Sequence, residues 1–286
     1  MGTSNMTPSL NNPKLRVKRA KEHLDVLHVK VKEFTDTKPP HVSVHEDIQN
    51  ALYVLQIKLP IIDPKLAIIA GDAIYYLRSS LDHIAWQLAL LTTDRPYDLT
   101  AFPVIDDKTS KKMSKFRRIT KNIPSDAVDE IDALQPYHRG ASYKDDLLWK
   151  LDKLCNIDKH RVIPAEGTSL DFQIPRDVTP SLSRLNDTYT VTMPISVKTR
   201  MQFAPNPTFD IQLGSRVDGL VISIGELPDI YKYIRDIVFP KFSRFFPQLP
   251  PLFPHLYSKC ILPILNGLSQ PPHFCRPSPR YAKLNQ

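Results

Sequence analysis

Apolar residues recur with a helical period over residues 64–91 more steadily than anywhere else in the chain. Stepping 100° per residue puts Leu66, Ala70, Ala73, Ile74, Leu77, Leu81, Ile84, Leu88 and Leu91 on one stripe. The pattern predicts one long helix with that stripe in the core. The opposite half carries Asp72, Tyr75, Tyr76, Arg78, Ser79, Asp82, His83, Trp86 and Gln87, which is too aromatic for a plain solvated face, so another surface is expected to cover it. Pro64 suits the first helical turn and Asp63 the N-cap. Gly71 costs a helix about 1 kcal/mol relative to alanine, so the close approach of another backbone is expected there.

Other stretches have their own periods. Val17, Ala20, Leu24, Leu27, Val31 and Phe34 alternate by three and four, predicting a helix over 14–36. Residues 51–58, rich in β-formers and closed by Pro60, read as a strand. A short helix is expected over 125–134 with Ser125 as its cap, and a longer one over 143–160 with Leu147, Leu151, Leu154 and Cys155 inward. Asp158 falls on that apolar stripe, so a basic partner is expected, Arg78 or Arg161. From 168 to 224 the period is two, which predicts an antiparallel sheet. Pro228 then opens a helix with Ile230, Tyr233, Ile234, Ile237 and Val238 inward. The expected fold is α+β, a helical core around a long central helix plus an antiparallel β-sheet. The single domain spans 14–246, helical over 14–165, with sheet and helix over 168–246. Residues 1–13 are expected to be disordered, and 247–286, with nine prolines, to form a poorly ordered tail.

Charge bears on partners. The formal net charge is +8 at pH 7, which permits a polyanion partner without requiring one. Lys14, Arg16, Lys18, Arg19 and Lys21 crowd the start of the first helix. A second basic run holds Lys111, Lys112, Lys115, Arg117, Arg118 and Lys121, with Phe116 available to stack on a base. No run of 18 uncharged apolar residues and no leader-like apolar stretch exists, so no membrane partner and a cytoplasmic location are expected. The three cysteines lack metal-ligand spacing. There is no GxxxxGK[ST], strand-linked GxGxxG, HExxH, GxSxG or CxxC, so neither a cofactor nor a metal is expected.

The segment Arg78-Ser79-Ser80-Leu81-Asp82-His83 fits Arg-x(4-6)-His, and Leu148-Trp149 is followed by Asn156-Ile157-Asp158-Lys159-His160-Arg161. Over about a third of its length the chain resembles HEPN ribonucleases and uncharacterised bacterial proteins with such a helix. The resemblance implies a homodimeric, metal-independent endoribonuclease acting on RNA. His83 would be the base on the 2′-hydroxyl and Arg78 would hold the phosphate, with Asp72 or Asp82 orienting one of them. Asn156 and His160, one turn apart, are positioned to act on one ligand, and Lys111, Lys112, Arg117 and Arg118 to hold the RNA backbone. Five residues on an ideal helix place Arg78 and His83 about 140° apart, so unless the helix distorts the pair meets one phosphate only with a facing helix from a second copy. The alternative is a non-catalytic interaction or dimerisation module, in which Arg78 pairs with Asp82 one turn on and His83 is a packed polar residue near Asp72.

Overall fold

A computed structural model describes residues 7–171, 179–195, 208–215, 217 and 219–246. Met1–Phe246 forms one compact unit, and the expectations for 1–6 and for the tail at 247–286 lie outside the described residues. The elements run α1 (Asn11–Thr37), β1 (His41–Asp47), β2 (Leu52–Lys58), α2 (Pro64–Ala89), α3 (Ser110–Ile119), α4 (Ser125–Ala133), a 3₁₀ segment (Pro136–Asp145) and α5 (Leu147–Asp158). Strands β3 (Ala165–Asp171), β4 (Ser181–Leu185), β5 (Thr188–Pro194), β6 (Thr208–Ser215) and β7 (Leu220–Ser223) follow. The chain ends in a continuous helical stretch, α6 (Leu227–Tyr233), a π-turn (Ile234–Val238) and α7 (Phe239–Ser243).

The fold is α+β, and its helices lie where the apolar periods put them. Asp63 accepts the Lys65 N–H with Pro64 in the first turn of α2, and Leu66 through Leu88 of the stripe are buried. Leu91 is 36% exposed because the helix stops at Ala89. In α1, Val17, Ala20, Leu24, Leu27 and Phe34 are buried against α2. Residues 9–13 are not disordered as expected, since Leu10 enters the core and the Ser9 N–H donates to Gln87 at 2.7 Å. Helix α5 begins at Leu147, capped by Asp146, which accepts from the Leu148 and Trp149 N–H groups. Ser125 is the first residue of α4 rather than its cap.

The strands divide into two antiparallel sheets instead of one. β3-β6-β7 packs Ile211, Leu213, Leu220 and Ile222 into the helical core. β1-β2-β5-β4 gathers a separate apolar cluster of Leu55, Ile57, Leu59, Val191 and Met193. Its edge strand β1 has no buried residue, and its apolar alternation is confined to Val42 and Val44, too short a signal to mark a strand among polar neighbours. Within the C-terminal helix the Phe239 N–H reaches back to Ile234 O. Pro240 explains this wider turn, because it has no N–H to give Asp236 and its ring crowds that carbonyl. The extra residue breaks the α-helical period, which is why Ile237, expected inward, is 47% exposed.

Candidate functional site, a basic cleft beside Arg78

Arg78 lies on α2 with only 12% of its side chain exposed. Its Nε donates to Asp152 on α5 at 2.9 Å, Nη1 to Asp82 at 2.6 Å and Nη2 to the Phe102 carbonyl at 3.0 Å. The Asp82 carboxylate also accepts the Phe102 N–H at 3.0 Å, so helix, guanidinium and the 99–105 strand of coil are tied together. Burial works against the charge, but Asp82 and Asp152 outweigh it and raise the Arg78 pKa. Asn156, one turn beyond Asp152, donates to the other Asp152 oxygen at 2.9 Å.

This network floors a cleft of about 390 Å3. Main chain and side chains of 99–105 form one wall, α3 a second and α5 a third. Lys112, Lys115 and Arg118 enter from α3, and Lys159 from the end of α5. Lys112 is neutralised by Asp106 and Asp107. With the Thr109 N–H, Lys112 holds the Asp107 carboxyl down to about 2. No described carboxylate pairs with Lys115, Arg118 or Lys159. The cleft therefore has a hydrogen-bonded polar floor and, at its rim, three cations with no carboxylate partner among the described residues, an arrangement suited to anionic oxygens.

The residues expected to form a catalytic set separate here. His83 faces α1 and is absent from the cleft lining; burial and then the neighbouring Arg16 lower its pKa, with Asp82 opposing. Asp72 is not beside His83 but 3.7 Å from His23 of α1, whose ring stacks on Tyr76 at 5.4 Å. Helix α1 is thus the surface that covers much of the polar half of α2. Of the expected RNA-binding residues, Asn156, Lys112 and Arg118 line the cleft, whereas Lys111, Arg117 and His160 are exposed outside its lining. Phe116 is buried in the core and offers no stacking face.

Asp158 corrects another expectation. No described cation pairs with it; instead its carboxylate lies against Gly71, where a Cβ would meet Oδ1 at 2.5 Å. The glycine admits a side chain rather than a backbone. Burial, then repulsion from Asp72, raises the Asp158 pKa.

Asp152 and Lys159 were missed as site residues, and Lys115 was singled out only as a member of the basic run at 111–121. Asp152 was findable as the position one turn before Asn156 and facing the same way. Among the described residues no group of three or more His, Cys, Asp or Glu is placed to hold a metal ion. No described helix is long and apolar enough to cross a membrane. The chain matches no family model, no curated protein and no solved structure.

Proposed function

We propose that the protein binds single-stranded RNA through this cleft, as a HEPN-like protein that pairs as a homodimer. The observation carrying the reading is the convergence of Lys115, Arg118 and Lys159, free of described carboxylates, over the Arg78–Asp152–Asn156 floor. Arg78 acts as a strut, because three of its nitrogens are already committed. Three phosphate contacts give a salt slope of about −2, and binding about 15- to 20-fold weaker at 200 than at 50 mM salt. Fluorescence anisotropy with a labelled oligoribonucleotide measures this. Lys115→Ala/Arg118→Ala/Lys159→Ala, all at exposed positions, should keep the wild-type melting temperature and flatten the slope. An unchanged slope would refute the assignment.

One observation favours RNA cleavage as a second reading. Burial and Arg16 lower the His83 pKa from its ordinary value, which favours the neutral imidazole that a base accepting a 2′-hydroxyl proton requires. The cation for the phosphate would come from a second copy. RNA incubated in EDTA should then yield 2′,3′-cyclic phosphate ends with wild type and none with His83→Ala. Identical products from both proteins would leave binding as the whole function.

A further inference from the structure

A second cavity, of about 350 Å3, opens between α1 and the C-terminal helix, within the range of roughly 300–1,000 Å3 typical of small-ligand pockets. Its interior is apolar. Val17 and Phe239 are buried, and the ring of Tyr231 forms a side wall. Its rim is cationic, with Lys14, Lys18 and Lys21 on one edge and Arg235 on the other. Lys21 is paired with Asp25, and Arg235, lying 5.1 Å over the Tyr231 ring, with Asp236. Lys14 and Lys18 form no salt bridge with a described carboxylate, although Glu22, one turn beyond Lys18 and paired with Arg19, feels the Lys18 charge, and no Asp or Glu is among the described lining residues.

The π-turn is the second relevant feature. Tyr231, Arg235 and Phe239 are spaced by four, and the wider turn at Ile234–Val238 aligns them more nearly in a row than an α-turn does. The row extends about 12 Å along the helix axis, opposite the Lys14, Val17, Lys18 and Lys21 face. An apolar trough of that length with cations on both lips matches an extended hydrocarbon chain ending in an anion. The chain's own last 40 residues suit the rim poorly, since 247–286 contain four Lys or Arg and no Asp or Glu.

We propose that this trough binds a free amphiphilic anion, an acyl-chain carboxylate whose tail lies along Val17, Tyr231 and Phe239 and whose head meets Lys14 and Lys18. The site is separate from the RNA cleft and does not depend on it. Calorimetric titration of the full chain with octanoate, decanoate and dodecanoate below their micelle concentrations should give one site. Affinity should rise by up to about fourfold per added CH₂. In Lys14→Glu/Lys18→Glu, both exposed positions, decanoate should bind at least tenfold more weakly while decanol is unaffected, and the melting temperature should hold. Equal decanoate affinity in the two proteins, or affinity independent of chain length, overturns the proposal. So does displacement of decanoate by oligoribonucleotide, which would make the trough part of a polyanion surface. Absence of decanoate binding, together with a change of sedimenting mass in the lysine variant, would assign the trough to a second copy of the chain and also overturns it.

Discussion

Replacing Arg78 with methionine removes the charged fork while keeping an unbranched chain in the same space. The loss is three donated hydrogen bonds, two to carboxylates and one to the Phe102 carbonyl. Breaking a buried ion pair costs roughly 3–5 kcal/mol, because the remaining charge is left without compensation. Asp82 and Asp152 retain 39% and 27% of their side-chain exposure, so both rehydrate in part and the lower end applies, about 3 kcal/mol. At about 2–4 °C per kcal/mol for a domain of this size, Arg78→Met should melt about 6–12 °C below wild type. Urea unfolding of Arg78→Met, Asp152→Asn and the double variant should give a coupling of about 1–2 kcal/mol. If Arg78→Met instead melted within 2 °C of wild type and lost RNA binding, Arg78 would be a ligand contact and the strut argument would fail.

Two further predictions concern the contact between α5 and α2. The folded state raises the Asp158 pKa, so it holds that proton more tightly than the unfolded chain. Its contribution is therefore fully present below the ordinary Asp value of about 3.9 and is lost as pH rises through the folded pKa. Asp158→Asn should melt above wild type at pH 7 and match it below pH 4; a lower melting point at pH 7 would reveal a missed cation partner. Gly71→Ala gains about 1 kcal/mol of helix propensity, but its methyl meets Asp158 Oδ1. The change should stabilise only in an Asp158→Ala background, and equal urea-midpoint shifts in both backgrounds would rule out the contact.

The helices were legible because each sets its apolar period against one core. Leu77, Leu81 and Leu151 are fully buried as their stripes required. The period failed where the backbone left the α-form, at Ile237 within the π-turn. The division of the strands was hidden, since alternation tells which face is buried and not which strand is the neighbour. Arg78, Asp82 and Asn156 were legible as site candidates by shared helix faces. Their partners were not, because Asp152 and Phe102 O reach Arg78 across 74 and 24 residues of sequence. The direction of His83 was also out of reach, as it depends on where α1 lies over α2.

The order of strands sets a schedule for the growing chain. β2 pairs with β1 across a short turn, but its other edge waits for β5, where Lys58 meets Thr188, about 130 residues later. At about 5–20 residues per second of synthesis the wait is roughly 7–26 s. Throughout it, the unpaired N–H and C=O groups of β2 are a template for any other extended segment, and Leu55 and Ile57 still lack Val191 and Met193 of the cluster that finally buries them. The helices can assemble early from nearby sequence, while the four-stranded sheet makes the nascent protein dependent on whatever shields one strand edge until its distant partner leaves the ribosome.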